Sequence, residues 1–416
     1  MRVKTEILSW IEDEKNEIIT FLQEFIRAES PNPPGDTTAA ANVVSALLKK
    51  HKVPFRWVAP QKTMPNIIGT INGTSSGRHL VLNGHIDVFP VTENFKQEGW
   101  ITPPWSGEVI EKKIYGRGST DMKCGTSASI WTYIILNKFK TEFSGKLTLT
   151  CVSDEETFGP WGSRWLIDNE PEALGDCCLN GEPSSPFTIR YGEKGLLWLT
   201  FKVLTDGSHG AYTHLSKSAT LIATDLIKEL QTLESLDPEV PFNLLNAQQK
   251  SADAFDQGMG IGASIIAPKI TLNIGTISGG LKNNMVPSEC SFEADIRLPV
   301  GCNLDKILNS INEITKKFPA VSMEQNMLNP PSHCDPEGDM MQILKSNVQE
   351  LKGFQPEPVV SLGGTDARLW RYKNIPAYVY GPTPTGMGSI NENVPIDDYL
   401  HILRTHALSA YDYLTK

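Results

Sequence analysis

The stretch from Leu80 to Asp87 constrains the fold more than any other part of the chain. Three apolar residues lead into Asn-Gly-His-Ile-Asp, and such a run is typical of a buried strand in a parallel sheet. Because side chains alternate along a strand, His85 and Asp87 point to the same side. Imidazole is a good zinc ligand, and its second N–H is usually donated to a carboxylate. Taken alone, the stretch fits a metal ligand and a hydrogen-bonded histidine equally well.

Helix and strand patterns alternate at both ends of the chain and predict an α/β sheet. Apolar residues at helical spacing indicate one amphipathic helix over residues 5–29, and a second helix runs from Thr37 or Thr38 to Lys50. In open α/β sheets, functional sites lie at the carboxyl ends of strands. His85 falls at such an end.

The pattern changes near Pro186 and returns near Asn329. Between them the predicted order is β-α-β-β-α-β, a ferredoxin-like unit, in which residues 235–265 look irregular. We interpret this unit as an insertion into the first domain. The predicted division is 1–187 and 329–416 for the two parts of the outer domain, and 188–328 for the insert.

Composition narrows the class of protein. A chain of 416 residues suggests two domains, and a formal net charge of −10 without a basic cluster argues against nucleic acid or membrane as partner. The first residues lack an apolar signal core, and no apolar run approaches the roughly 18 residues that span a bilayer. Seven cysteines without a Cys-x-x-Cys motif predict reduced thiols in a cytoplasmic protein.

Three further features place carboxylates where strands end or helices begin. Asp121 follows a glycine-rich stretch, Glu155 and Glu156 follow a predicted strand, and Glu182 precedes a proline after another strand. Each has an ordinary explanation as a helix cap or a solvated loop. Together with His85 they form a zinc-compatible set at one edge of a sheet.

Four ordered motifs carry a family resemblance. They are Gly84–Val88, Gly116–Lys123, Asp154–Glu156 and Gly181–Pro183. Their order and spacing resemble the M20 metallopeptidases, in the branch of acetylornithine deacetylase, succinyl-diaminopimelate desuccinylase and aminoacylase. The resemblance covers nearly the whole chain. It implies an α/β metallopeptidase domain with a mostly parallel sheet and an inserted ferredoxin-like lid and dimerisation domain.

The resemblance also implies a metal-ligand set. His85, Asp121 and Glu182 would hold one metal ion, and Asp121 would bridge to a second ion ligated by Glu156. Zinc is the implied metal, and cobalt or manganese could substitute. The resemblance implies one tightly bound ion and leaves the occupancy of the second position undecided.

Catalytic roles follow from the same resemblance. Glu155 would be the general base, and Asp87 would support His85 from behind. His209, within Ser208–His214, resembles a lid histidine that stabilises the tetrahedral intermediate, in many members across a dimer interface. The implied assembly is therefore a homodimer, and the implied partner is a small-molecule substrate.

Four more residues resemble the family's substrate-binding positions. Asn284 and Arg297 would contact the carboxylate side of the substrate, since the arginine fork can bind both oxygens. A salt bridge on the sheet surface is the alternative for Arg297. Gly363 and Gly364 resemble the family's glycine-rich turn, and a plain turn with a helix cap is their alternative.

One position departs from the family pattern. A histidine four residues before a glutamate usually supplies the last metal ligand, but Gly388 stands there, ahead of Glu392. Either one metal ion suffices, or Glu392, His401 or His406 replaces the ligand. The helical pattern around the two histidines predicts that both lie on the surface.

Three functions remain after this comparison. The leading one is metal-dependent hydrolysis of an N-acyl amino acid, or of a short peptide with a free carboxylate. The second is a divergent hydrolase of the same fold that acts on a non-peptide amide or ester. The third is a catalytically weak metal- or ligand-binding relative, which Gly388 favours and the retention of Glu155 disfavours.

Overall fold

The computed structural model describes residues 2–416. The α-helices are α1 (Arg2–Asp13), α2 (Lys15–Arg27), α3 (Thr38–Lys50), α4 (Lys123–Lys138), α5 (Ser163–Asn169), α6 (Ala219–Gln231), α7 (Phe242–Lys250), α8 (Ala252–Met259), α9 (Ala263–Ile266), α10 (Leu304–Lys316), α11 (Asp339–Lys352), α12 (Ala367–Tyr372) and α13 (Ile396–Thr415). Short 3-10 helices lie at Phe95–Gln97, Pro171–Ala173 and Thr232–Ser235.

The strands form a large sheet, a four-stranded sheet and two small ones. They are β1 (Arg56–Gln61), β2 (Met64–Asn72), β3 (His79–His85), β4 (Val109–Ile110), β5 (Lys113–Tyr115), β6 (Lys146–Val152), β7 (Cys177–Asn180), β8 (Thr188–Glu193), β9 (Gly195–Leu204), β10 (Ser208–His209), β11 (Thr271–Gly279), β12 (Met285–Val286), β13 (Glu289–Leu298), β14 (Val321–Asn329), β15 (Ser332–His333), β16 (Glu357–Ser361), β17 (Ala377–Val379) and β18 (Asn393–Pro395).

The large sheet has nine strands and confirms the predicted α/β class. Its order is β1-β2-β6-β3-β7-β17-β8-β15, with β16 paired to β8. Strand β3 lies between β6 and β7 and runs parallel to both, with His85 opposite Val152 and Asn83 opposite Asn180. Its central apolar residues are fully buried, as the sequence predicted. The register therefore brings the carboxyl ends of all three strands to one edge.

The four-stranded sheet confirms the ferredoxin-like prediction. Its order is β11-β13-β9-β14, and all neighbouring strands are antiparallel. One face of β9 packs against α6 and α10 because alternate residues from Leu197 to Val203 are buried. We call this sheet with its two helices the inserted unit.

Most of residues 235–265 are helical, so the prediction of an irregular segment was wrong. They form α7, α8 and α9, which are nine, eight and four residues long. Helices this short give too few repeats for a periodic pattern. Tertiary packing stabilises them, since Leu244 and Phe255 belong to the same apolar core as the large sheet rather than to the core of the inserted unit.

The first predicted helix is divided in two. In place of one helix over residues 5–29, the chain forms α1 (Arg2–Asp13) and α2 (Lys15–Arg27), which meet at Glu14. Helical hydrogen bonds continue on both sides, from the Glu14 amide to the Trp10 carbonyl and from the Ile18 amide to the Glu14 carbonyl. The division is a one-residue turn at Glu14, and apolar spacing alone does not reveal it.

The last helix is buried on nearly all sides, which contradicts the predicted surface position of its histidines. His401 and His406 are at most 1% exposed. The Nε2 atom of His401 lies 2.7 Å from the Tyr380 hydroxyl, and Nε2 of His406 donates to the Tyr380 carbonyl at 2.7 Å. Burial lowers the pKa of both imidazoles, to about 3 and about 4. The error arose because α13 packs against both α4 and α11.

The proposed division at residues 187/188 and 328/329 stays a prediction. Hydrogen bonding adds that Thr188–Glu193 lies in the large sheet and that the four-stranded sheet starts at Gly195. All seven cysteines are free thiols. Within residues 2–416, every helix is too short or too polar to cross a bilayer.

Candidate metal centre and active site

Three strand ends and one helix start build the candidate centre. His85 is the last residue of β3, Glu155 follows β6, Glu182 follows β7, and Asp121 lies just before α4. Because β6 and β7 flank β3 in parallel, their continuations lie on either side of His85. The sequence-predicted carboxylates therefore meet at the predicted edge of the sheet.

His85, Asp121 and Glu182 form a compact ligand-like group. Nε2 of His85 lies 3.2 Å from Oδ1 of Asp121 and 3.2 Å from Oε1 of Glu182. All three donor atoms lie within 4.8 Å of one another, and no other group of three within residues 2–416 meets that condition. One imidazole and two carboxylates are a zinc-compatible donor set.

The electrostatics of the group favour a cation. Burial by itself disfavours an imidazolium, yet Glu182, Asp121 and Asp87 raise the pKa of His85 well above its usual value. Burial and the nearby Asp121 raise the pKa of Glu182, although His85 opposes them. Buried carboxylates in this number must either take up protons or have positive charge among them. The residues present therefore fit a bound metal ion.

Asp87 supports the centre from behind His85 through its backbone as well as its side chain. Nδ1 of His85 donates to the Asp87 carbonyl oxygen at 2.8 Å, whereas Oδ1 of Asp87 is 3.6 Å away. Oδ2 of Asp87 accepts from Nδ2 of Asn32 at 2.9 Å and from the Glu156 amide at 3.1 Å. These contacts fix the imidazole so that Nε2 faces the carboxylates.

Glu155 and Glu156 bring two under-satisfied carboxylates to the same edge. Oε1 of each is buried without a hydrogen-bond partner. Burial raises the pKa of both well above the usual value; Glu182 adds to this at Glu155, and Asp121 adds to it at Glu156. Oε2 of Glu155 lies 4.0 Å from Nε2 of His85. A carboxylate so placed can hold or release a proton beside the ligand group.

Glu392 is held by other groups and contacts the centre only through the Asp121 backbone. Its Oε2 accepts from Nη1 of Arg117 at 2.7 Å, and its Oε1 accepts from the amides of Thr120 and Asp121 at 2.9 and 3.0 Å. Both oxygens thus fix the loop that carries Asp121. Gly388 has φ of +70°, and its carbonyl accepts from Arg117. His401 and His406 are occupied by Tyr380.

His209 lies in the small β10–β12 sheet and Asn284 directly precedes β12, so neither is in the large sheet whose strand ends carry His85 and Glu182. His209 pairs with Met285 in the two-stranded β10–β12 sheet, and the Gly210 amide donates to the Asn284 carbonyl at 2.7 Å. Both side chains are exposed. The fold therefore presents them at the surface of the inserted region.

Arg297 makes an ion pair within its own strand. Its Nη2 and Nε donate to Oδ2 of Asp295 at 2.8 and 3.1 Å. Both side chains are 27% exposed. The salt bridge named above as the alternative for Arg297 is therefore present, and a substrate carboxylate would compete with Asp295 for the guanidinium.

The turn at Gly363 and Gly364 joins β16 to α12 and leads into a buried polar network. The Thr365 amide and hydroxyl donate to Glu193 at 2.9 and 2.8 Å, and Nη1 of Arg371 donates to the same carboxylate at 2.9 Å. A Cβ at Gly364 would lie 3.2 Å from the Phe158 ring, close enough to push it. The turn thus abuts the loop that carries Glu155.

Three neighbours of the centre were not assigned roles from the sequence. Asn32 lies in a proline-rich stretch that follows the first predicted helix. Arg368 has Nη1 3.8 Å from Oε1 of Glu155, and its guanidinium stacks on the Phe158 ring at 4.7 Å. Arg117 lies within the Gly116–Lys123 motif, but the family resemblance implied no role for it. The one sequence signal that could have indicated these three residues is a polar or charged side chain in a glycine- or proline-rich turn.

Comparison with known proteins agrees with this geometry. A profile of Peptidase family M20/M25/M40 matches residues 81–411. The chain is 25% identical over 397 residues to succinyl-diaminopimelate desuccinylase 2 of Ruegeria sp. (strain TM1040), covering 92% of this chain and 91% of that protein. It is 24% identical to N-formyl-4-amino-5-aminomethyl-2-methylpyrimidine deformylase of Halalkalibacterium halodurans, covering 99% and 98%.

A solved structure shares the fold over nearly the whole chain. The M20 family metallo-carboxypeptidase Sso-CP2 from Sulfolobus solfataricus matches with a TM-score of 0.80 at 18% identity, covering 95% of this chain and 99% of that one. At this identity the likeness concerns the fold. The family match covers most of the chain, and the ligand-like group lies within it. The chain therefore belongs to peptidase family M20/M25/M40, whose members are metal-dependent, and is a hydrolase that acts on C–N bonds.

Proposed function

We propose that the chain hydrolyses an N-acyl amino acid, or a short peptide with a free carboxylate, with Glu155 as general base. The observation that carries this proposal is the position of a buried carboxylate, Glu155, 4.0 Å from Nε2 of His85 in the ligand-like group. A binding protein does not need that carboxylate. The similarity to a desuccinylase supports an acylated amine as substrate.

The metal would be held by His85, Asp121 and Glu182. Bound zinc supplies Lewis acidity, which polarises the scissile carbonyl and lowers the pKa of water to roughly 7. Asp87 and Asn32 keep the imidazole oriented through the hydrogen bonds described above. Glu392 holds the Asp121 backbone. The small molecule therefore meets a preorganised centre.

Glu155 would move the proton. Its carboxylate accepts a proton from the attacking water as the water oxygen bonds to the carbonyl carbon. The protonated carboxyl then gives that proton to the amine nitrogen as the C–N bond breaks. Arg368, 3.8 Å from Oε1 of Glu155, holds the carboxylate in place during both transfers.

The inserted region would complete the substrate site. His209 would donate to the developing oxyanion, while Asn284 and Arg297 would contact the carboxylate side of the substrate. Gly363 and Gly364 would let the substrate approach the turn backbone closely. These roles rest on the resemblance of their motifs to the family pattern.

A second candidate is hydrolysis of a non-peptide amide. The observation that favours it is similarity over almost the full length to a deformylase whose named substrate is an N-formyl pyrimidine. The same ligand-like group and base would serve both reactions. The two candidates differ only in the substrate that the pocket would accept.

A chelation experiment tests both candidates. We expect chelated protein to be inactive and activity to return with zinc, cobalt or manganese. The assay panel holds N-acyl amino acids, dipeptides and non-peptide formamides. Metal-restored cleavage of the first two groups supports the leading function, and cleavage of formamides alone supports the second. If no amide is cleaved with any metal, the weak-binding alternative gains.

We expect one tightly held metal ion per chain. Glu156 and Asp121 without an imidazole are a poor zinc set, although magnesium or manganese could bind there weakly. His85→Ala should abolish tight binding, and Glu156→Ala should reduce it less. Gly388→His should raise the content towards two ions, despite backbone strain of about 1 kcal/mol at φ of +70°. Elemental analysis after dialysis measures this, and two tight ions in the unaltered chain would refute it.

We also expect a homodimer. Leu215, Leu221 and Leu281 are 65%, 67% and 89% exposed in the inserted region. Leu215 and Leu221 line an open groove of about 660 Å³, which residues 213–218 and 285–287 also border. Sedimentation should give the mass of two chains at micromolar concentration, and a single-chain mass would refute the dimer.

If His209 acts across the dimer, mixing His209→Ala with Glu155→Ala subunits restores part of the activity.

A further inference from the structure

Arg190 stands apart from the other buried arginines. Within residues 2–416, the buried arginines are Arg117, Arg190, Arg368 and Arg371. Three of them have a carboxylate oxygen within 4.0 Å, on Glu392, Glu155 and Glu193 respectively. Arg190 has none. A buried guanidinium without a carboxylate is costly unless something else requires it.

The hydrogen bonding of Arg190 is also incomplete. Its Nε is buried without a partner, and its Nη2 meets only the Met259 sulfur at 3.5 Å. A thioether is a weak acceptor. The edge formed by Nε and Nη2 is the edge with which arginine binds both oxygens of a carboxylate. That edge is therefore unused by any strong acceptor of the protein.

The fold brings Arg190 to the active-site side of the sheet. In β8 it lies opposite Val379 of β17, and Val379 lies opposite Asn180 of β7, two residues before Glu182. The charges of Glu182, Glu193 and Asp121 act on the guanidinium, although burial itself lowers the pKa of Arg190. Arg190 thus lies beside the ligand-like group without bonding to it.

From this geometry we infer that Arg190 forms a subsite for a carboxylate of the substrate, with Met259 as its movable cover. The inference rests on the proposed function and names a further binding residue for it. The carboxylate belongs either to the acyl group or to the amine product. Met259 ends α8, is partly exposed, and has three rotatable bonds, so its sulfur can yield to an incoming oxygen.

Arg190 suits this role better than Arg297 does. Both Nε and Nη2 of Arg297 already donate to Asp295, whereas the same edge of Arg190 faces only a sulfur atom. A carboxylate would therefore gain two charge-assisted hydrogen bonds at Arg190 without displacing a protein anion. The helices α7–α9 would then form part of the substrate pocket, since α8 supplies Met259.

Paired substrates test the subsite with Arg190→Gln. One pair, N-succinyl-L-alanine and N-butyryl-L-alanine, differs in the acyl carboxylate. The other, N-acetyl-L-alanine and N-acetyl-L-alaninamide, differs in the amine-side carboxylate. We expect kcat/KM to fall about 10- to 100-fold for the charged member of one pair, chiefly through KM, and far less for its neutral partner. The affected pair identifies the source of the carboxylate.

Arg404→Gln is the matched control, because Arg404 pairs with Glu12 near the surface at 3.0 Å and should change neither pair. Metal content should be unchanged in Arg190→Gln, and its unfolding midpoint should not fall. Equal losses on all four substrates, or loss of metal, would overturn the subsite and make Arg190 a support for Glu182.

A binding measurement separates this inference from the proposed reaction. Zinc-loaded protein is titrated calorimetrically with succinate and with uncharged succinamide. We expect succinate to bind more tightly, and Arg190→Gln to raise its Kd about 10-fold or more. If no amide is hydrolysed but this difference is found, the reaction fails and the subsite stands. If succinate binds no better than succinamide, the subsite is wrong.

Discussion

Replacing Glu155 by glutamine should lower kcat by about 10²- to 10⁴-fold, the usual range for loss of a general base. Glutamine keeps the size of the side chain but cannot accept a proton from water. Because Glu155 is outside the proposed ligand set, metal content should stay that of the unaltered protein. Steady-state kinetics on the best substrate of the panel, with elemental analysis of the same samples, measure both quantities.

Glu156→Gln is the matched control for this experiment. The pKa of the neighbouring Glu156 carboxylate is also raised, but Glu156 is proposed as a ligand of the weak second site. Glu156→Gln should lower kcat less than Glu155→Gln does. It should instead change how activity depends on the concentration of added metal ion. If Glu155→Gln leaves kcat unchanged, another group is the base and the proton path proposed above is wrong.

Glu193→Gln should produce the largest loss of stability, about 3–5 kcal/mol in the free energy of unfolding. The Glu193 and Arg371 side chains are at most 1% exposed, so the substitution leaves an uncompensated guanidinium in the interior. It also weakens the hold on Thr365, and with it the glycine turn near Glu155. Urea denaturation followed by circular dichroism gives the unfolding free energy.

The double variant Glu193→Gln with Arg371→Met should recover part of this loss, because removing both charges avoids the unpaired cation. Glu313→Gln provides the surface comparison, since Glu313 and Lys316 form an exposed pair on α10 and such pairs contribute little. A double variant no more stable than Glu193→Gln would show that the loss comes from the hydrogen bonds to Thr365.

The meeting of His85, Asp121 and Glu182 could be predicted from the sequence because strand ends are local features that the sheet topology then aligns. His85, Asp121 and Glu182 were each marked by a short motif, and the parallel register of β3, β6 and β7 brings such ends together. The ferredoxin-like order followed from the succession of predicted strands and helices between Pro186 and Asn329. These inferences need no knowledge of distant contacts.

Other features depend on contacts between distant parts of the chain, which periodicity does not encode. Glu392 was considered as a ligand, but Arg117, 275 positions earlier, holds it. His401 and His406 were predicted to lie on the surface, but α4 and α11 pack against their helix and bury them. The helices in residues 235–265 are too short to show a pattern, and their apolar contacts lie in the core of the large sheet.

The placement of α7–α9 has a mechanical consequence. An inserted domain joined only where it starts and ends can swing as one body about a single hinge. Here the chain also returns between α6 and β11, and that excursion buries Leu244 and Phe255 in the core of the large sheet. Nζ of Lys194 holds the end of this α7–α9 segment by donating to the carbonyls of Ile266 and Lys269 at 2.9 and 2.7 Å. A wide swing of the inserted unit would pull those side chains out of the core, so we expect any movement of the unit to be a small rocking motion.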